Sequence, residues 1–160
     1  MELETVLVDN PKELNFIFGQ SHFIKTVEDL HEIMVTQAPS AKFGIAFCEA
    51  SGPRLVRHSG NDADLESLAI DNAVKVGAGH TFFIFLEEAF PITILQAVKN
   101  CHEVANIFCA TANPVQVVLA KTDQGKGVMG VIDGYSPKGV ETEEDMKARK
   151  DFLRNIGYKL

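Results

Sequence analysis

The chain has no excess of positive charge: 15 lysines and arginines stand against 22 aspartates and glutamates, a formal net charge of −7. That balance argues against a nucleic-acid binder, which carries a basic stripe. Nucleotide-sized ligands stay open, because a small site needs only a few local cations. Long hydrophobic runs are missing too. The longest, around Thr81 to Leu86, is far too short to cross a bilayer, so no membrane partner is expected. The opening MELETVLVDN has acidic residues where a signal peptide needs basic ones. Cysteine is scarce and odd in number, at 48, 101 and 109, which fits free thiols in a reducing cytosol and a cytoplasmic address. Cys101-His102 and Cys109 lack the paired C-x-x-C spacing of a structural zinc site, so no metal cage is expected. Repeats, low-complexity tracts and long linkers are absent as well. With 46% hydrophobic and 23% charged residues, residues 1–160 read as one globular domain, burying about two-thirds of its unfolded surface.

The pattern along the chain alternates between the two backbone periods. Glu2 to Val8 alternates like a strand and ends at the turn signal Asp9-Asn10-Pro11. Leu14 to Phe23 reads as a second strand, with Phe16, Phe18, Gln20 and His22 on one face. Thr26 is the expected N-cap of a helix carrying Val27, Leu30, Met34 and Ala38, with Asp29 as a weak capping-box partner. Strands follow at Phe43 to Ala50 and Leu55-Val56. Asn61 or Asp62 caps a helix with Leu65, Leu68, Ala69, Ala73 and Val76 on its apolar face, closed by Gly77 and Gly79. Thr81 to Leu86 is a buried strand by composition, and Pro91 opens a helix through Val98. Val104 to Ala110, Val115 to Ala120 and Val128 to Ile132 complete the strands. Glu141 to Ile156 is a charged helix with Leu153 and Ile156 on its apolar side. Eight strands and four helices with hairpin-length connections predict an α+β fold: a mixed or antiparallel sheet with packed helices.

The densest chemistry lies in GQSHFIKT, residues 19–26. Gly19 and Lys25-Thr26 frame a P-loop, but Ile24 stands where the second glycine belongs. A β-branched residue resists the positive φ that a phosphate cradle tends to require, so the P-loop reading fails. Another anion site survives: the free N–H groups of residues 27 to 29 at a helix start, Lys25 beside them and His22 just upstream. A neutral imidazole at His22 could accept a phosphoryl group while Lys25 stabilises its charge. His22 could equally hydrogen-bond within a sheet and Lys25 be a solvated cation.

FCEASGPRLVRHSGND, residues 47–62, is the other polar stretch, following a buried strand directly. Arg54 and Arg57 could hold phosphate or be surface charges. Cys48 reads as a core residue rather than a nucleophile. His80, after Gly79, is either a polar handle in a pocket or a strand end. Thr111-Ala112-Asn113-Pro114 is first a turn.

These blocks, with GAGHTFFIFL, ATANPVQVVLA and GVMGVIDGYSPKGVE, resemble the small archaeal and bacterial family of adenosine-specific kinases, over almost the whole chain from Leu14 to IGYKL. The resemblance implies an α/β sandwich-like domain assembling as trimers or hexamers, an adenosine or AMP site, and a phosphorylated histidine. On this chain that histidine matches His22, with Lys25 beside it as anion stabiliser. Glu49, Ser51 and Gly52 of CEASG, His80, and Asn113 of ATANP are the candidates for lining the nucleoside site. The expected activity is phosphoryl transfer to adenosine through His22. Transfer from a nucleotide donor calls for Mg²⁺ bridging the donor phosphates, yet the sequence offers carboxylates such as Glu49 and Asp133 without a recognisable metal pair. Two other classes stay open: a nucleotide sensor without turnover, and a phosphohydrolase using the same histidine.

Overall fold

The computed structural model describes residues 1–160. Its elements run β1 (Glu2–Leu7), β2 (Asn15–Ser21), α1 (Thr26–Gln37), β3 (Lys42–Cys48), β4 (Val56–Gly60), α2 (Ala63–Val76), β5 (Thr81–Glu87), α3 (Pro91–Lys99), β6 (Val104–Thr111), β7 (Val115–Lys121), β8 (Lys126–Asp133) and α4 (Glu143–Asn155). The strands form two antiparallel sheets, one of five in the order β4-β3-β5-β2-β6 and one of three in the order β1-β7-β8. The fold is α+β, with the strands divided between two sheets.

The five-stranded sheet is covered on both faces, which explains why β5 reads TFFIFLE without alternation. Phe82, Ile84 and Leu86 face a core with Leu30 and Met34 of α1 and Ile94 and Val98 of α3. Phe83 and Phe85 face the opposite core, with Phe16 and Phe18 of β2, Ala69 and Ala73 of α2, and Val115, Val117 and Leu119 of β7. Cross-strand rings stack there, Phe18 on Phe83 at 4.4 Å and Phe16 on Phe85 at 5.1 Å between centroids, pairs worth about 0.5–1.5 kcal/mol beyond their burial. Truncating one of these fully buried rings to alanine would cost about 3–5 kcal/mol.

Helix α2 lies close on β3 because residue 44 is glycine. A Cβ at Gly44 would stand 2.2 Å from the backbone of Leu65 and Glu66, a distance no packing adjustment of side chains can relieve. The helix starts on Asp62, whose carboxylate accepts from the N–H groups of Asp64 and Leu65, and stops at Gly77 in the left-handed conformation (φ 60°).

Two parts remain uncovered. The outer face of the three-stranded sheet exposes Leu3, Leu7, Met129 and Ile132. Helix α4 begins with a full Thr142–Asp145 capping box but buries no residue. Its ion pairs, Lys147 with Asp151 and Arg149 with Glu141, are local, and Phe152, Ile156 and Tyr158 stay exposed.

Two local expectations are corrected. Strand β2 stops at Ser21, with register shifts after Phe18 and Gln20, so His22 does not continue the Phe16–Phe18 face but is exposed in the following turn. Thr26 is not an N-cap either. Lys25 holds that position without a side-chain cap, because the buried Thr26 hydroxyl points backward to the Phe23 carbonyl and, at 2.9 Å, the Ser21 hydroxyl.

Candidate functional site

Antiparallel pairing brings several loops to one end of the five-stranded sheet. Phe47 pairs with Phe82, Cys48 with Val56, Gln20 with Thr81 and Ser21 with Val104. The segments beyond those pairs therefore share a rim: Glu49 to Leu55, Gly79-His80, His22 to Lys25, and Cys101 to Glu103.

The turn after β2 is the most distinctive part of this rim. The N–H of Thr26 donates to Phe23, that of Val27 to Ile24, and those of Glu28 and Asp29 to Lys25. The expected free donors at 27 to 29 are therefore paired, because a tight turn precedes the helix and supplies its acceptors. The free N–H groups lie one turn earlier, on His22, Phe23, Ile24 and Lys25, none of which donates to a protein acceptor. Phe23 and Ile24 are exposed, so this stretch presents backbone donors, an imidazole and two apolar side chains to solvent.

His80 stands opposite. Its ring meets that of His22 edge-on with centroids 6.2 Å apart, and stacks on Phe47 at 5.9 Å. The backbone there is left-handed, φ 63°, which a β-carbon makes unfavourable. It is held by two backbone bonds, His80 N–H to Cys48 and Ser21 N–H to His80. Glu13, Arg54 and Glu88 share this conformation, so it does not by itself single out His80. Gln20 also reaches the rim, donating to the Gly79 carbonyl at 3.3 Å.

Lys25 is half-exposed but not an isolated charge. Its ammonium hydrogen-bonds Asp29 and lies 3.4 Å from Glu103. The Asp29 contact raises the Lys25 pKa and holds the Asp29 carboxyl below the usual range. Glu103 is buried, and neither of its carboxylate oxygens has a hydrogen-bond partner.

Glu49 sits on the same rim with both oxygens engaged. One accepts from the Leu55 N–H at 2.8 Å and the other from the Arg57 guanidinium at 2.8 Å. Those two donors, the backbone one first, hold its carboxyl below the usual carboxylate range. Glu49 thereby clamps the β3–β4 hairpin, and a ligand would meet its remaining lone pairs only. Ser51 and Gly52 are exposed at the hairpin tip, Gly52 with φ 64° and nothing within 4 Å of a would-be β-carbon.

A cavity of about 640 Å³ joins the turn after β2 to this hairpin, with Ile24, Val27, Leu55 and Val56 as apolar wall and Lys25, Arg57, His58 and the Glu28 carboxylate as its polar lining. The Nε of Arg57 is buried without a partner. Such a volume and mixture suit a small organic molecule with both apolar and polar parts. A second cavity, about 940 Å³, lies behind the hairpin between Glu49, the end of α2 and the β7–β8 turn at Lys126.

Asn113 is not brought to this rim. Its neighbour Thr111 pairs with Phe16, at the other end of β2, about 15–20 Å away at roughly 3.3 Å per residue. There Asn113 donates to Asp133 at 3.1 Å, tying the β6–β7 turn to the end of β8. The sequence suggests Asp29 only as a capping-box partner and does not single out Glu103, yet together they grip Lys25. The only available signal was a carboxylate one turn after Lys25 and another immediately before an apolar strand.

A family model described as Adenosine specific kinase matches residues 6–159 of the chain. Among solved structures the chain is similar to the PH1918 protein from Pyrococcus horikoshii OT3, at 44% identity and a TM-score of 0.95, over 99% of this chain and 98% of that one. No curated protein matches the sequence.

Proposed function

The chain belongs to the adenosine-specific kinase family, and on that premise we propose that it transfers a phosphoryl group to adenosine through His22. The observation that carries this reading is the turn at 22 to 25, where an exposed imidazole adjoins four unpaired N–H donors and a second histidine 6.2 Å away. In the first step a nitrogen of neutral His22 attacks the terminal phosphorus of a nucleotide donor. The P–N bond forms as the P–O bond to the departing diphosphate breaks. In the second step the primary hydroxyl of adenosine attacks the same phosphorus and the P–N bond breaks. AMP leaves, and the hydroxyl proton passes to His80. The backbone donors and Lys25 neutralise charge on the phosphoryl oxygens, and Mg²⁺ would accompany the donor's phosphates.

For the nucleoside, the reading uses the cavity beside Leu55 and Val56 for the base, with Glu49 acting through the Leu55 and Arg57 contacts that hold the hairpin and Ser51 and Gly52 at the hairpin tip. Asn113 enters only if a neighbouring copy presents it. Turnover is tested by intact mass after incubation with ATP and Mg²⁺, followed by adenosine. A phosphoryl adduct should form and then disappear as AMP appears. Phosphate release without AMP would point to a phosphohydrolase, and a stable adduct to a sensor. The sensor reading draws support from Lys25, whose ammonium is held by Asp29 and Glu103 rather than free.

The same reading makes the protein an assembly of its own copies, a trimer or a doubled trimer, in the cytoplasm. The bare apolar face of Leu3, Leu7, Met129 and Ile132 and the unpacked α4 support it. Light scattering should give a multiple of the 17.5 kDa chain at micromolar concentration. A mass equal to one chain would remove this part of the reading.

A further inference from the structure

Beside Lys25, and apart from the groups that face His22, three side chains converge from two elements. Asp29 comes from the first turn of α1, and Cys101 and Glu103 come from the turn between α3 and β6. One ligand atom from each, two carboxylate oxygens and a sulfur, all lie within 4.8 Å of one another. In a tetrahedral zinc site such atoms are about 3.5 Å apart, given metal–ligand bonds of about 2.0–2.3 Å. Small rotamer changes therefore close the cluster around an ion.

The second observation is Glu103. Its side chain is only 3% exposed, yet neither carboxylate oxygen has a hydrogen-bond partner. Buried carboxylates are ordinarily satisfied, because an unpaired one forfeits its hydration without return. The nearest cation is the Lys25 ammonium at 3.4 Å, and Lys25 is itself 48% exposed. The Cys101 thiol also meets the Glu103 carboxylate, and burial together with that carboxylate pushes the thiol up to about 11. A half-exposed lysine on a four-carbon stem is a displaceable counter-ion. A cavity of about 420 Å³, bordered by Lys25, Asp29, Cys101 and His102, leads to the cluster from solvent. His102 on its rim offers an imidazole as a further ligand.

We propose that Asp29, Cys101 and Glu103 form a binding site for a divalent cation of the zinc class, which the Lys25 ammonium occupies in competition with the metal. The thiol decides the class: sulfur with carboxylate and imidazole suits Zn²⁺ or Co²⁺, whereas Mg²⁺ takes oxygen ligands alone. On binding, Cys101 gives up its thiol proton to solvent, and Lys25 swings outward. No electrons are transferred, and no nucleotide is needed, so this site stands or falls separately from the chemistry at His22.

The test uses the full chain without an affinity tag, stripped with chelator and titrated with Co²⁺. One equivalent per chain should bind, with a near-ultraviolet thiolate-to-cobalt absorption that Zn²⁺ removes. Cys101→Ser should abolish that absorption, and Glu103→Gln should weaken binding at least tenfold. Lys25→Met should tighten binding at least tenfold, because it deletes the competing cation and does not depend on Glu103 variants folding. Absence of saturable binding in both the wild type and Lys25→Met would overturn the proposal. So would an absorption that survives Cys101→Ser, or an affinity that Lys25→Met leaves unchanged.

Discussion

One end of the five-stranded sheet gathers His22, His80, Lys25, Glu49, Arg57 and Glu103, and the other gathers Asn15, Lys42, Leu86 and Thr111 with the Asn113 turn beyond. The same strands make both ends, so strand propensity cannot account for the contrast. Left-handed backbone occurs at both ends, at His80 (φ 63°) on the first and at Glu13 (φ 52°) and Glu88 (φ 63°) on the second. What sets the first end apart is that Glu103 is buried without a hydrogen bond and that four consecutive exposed N–H groups have no protein partner. At the second end the polar groups satisfy each other. Asn113 bonds Asp133 and Thr111, and Asn10 bonds Leu14 through both its amide groups. Stability favours the second arrangement. The first is retained where it has a use.

If that contrast is functional, changes at the first end should be costly and changes at the second mild. The largest effect is expected for His22→Ala, in which the phosphoryl adduct of roughly 80 Da, the mass gain expected of covalent catalysis by a nucleophilic histidine, should vanish from the intact-mass spectrum. An acid-labile adduct persisting in that variant would move the nucleophile elsewhere. Lys25→Ala comes next and should slow labelling roughly a hundredfold, the loss typical of one charge-stabilising donor, with the circular dichroism unchanged. Labelling at the wild-type rate would leave Lys25 as the counter-ion of Asp29 and Glu103 and nothing more.

A smaller loss is expected at the hairpin. Glu49→Ala should weaken adenosine binding roughly ten- to hundredfold by calorimetry, about 1.4–2.8 kcal/mol in affinity terms, with guanosine poor throughout. Because Glu49 bonds Leu55 and Arg57, Arg57→Ala separates two ways of acting. If Glu49 shapes the hairpin, both variants lose affinity together. If Glu49 meets the ribose hydroxyls with its remaining lone pairs, Arg57→Ala keeps most of the affinity. The smallest effect is expected at the far end, where Asn113→Ala should change adenosine affinity less than about twofold, well inside the range of a surface substitution. A tenfold loss there would break the contrast and mean that a second copy completes the site.

Much of the fold was legible along the chain. Eleven of the twelve elements stand where periodicity and punctuation put them, within a few residues: Pro91 opens α3, and Gly77 closes α2. The exception is β4, expected at Leu55-Val56 but running Val56–Gly60 through the polar RHSG, where pairing with β3 outweighs composition. The errors fall where a tertiary contact outweighs a local preference. Thr26 has the chemistry of an N-cap, but Ser21 and the Phe23 carbonyl engage its hydroxyl inside the protein. The Thr142–Asp145 box, with nothing packed around it, caps its helix as local rules require. His22 continues the period-2 pattern of β2 on paper, yet the register shift after Gln20 ends that face. Leu153 on α4 is only half-buried, and Ile156 is exposed, because α4 has no core to pack against.

Local physics, acting between residues a few positions apart, is what the amino-acid sequence determined by itself: element types, their ends, the failure of a P-loop at Ile24, and an α+β composition. Only the tertiary structure decided how the strands divide between two sheets and which loops share a rim. It set the distance between His22 and His80, 58 residues apart, and between Lys25 and Glu103, 78 residues apart. It also separated Asn113 from the residues it was grouped with. Those outcomes depend on long-range strand pairing and on which face is buried, and antiparallel order brings distant loops together without leaving a mark in the neighbourhood of either one.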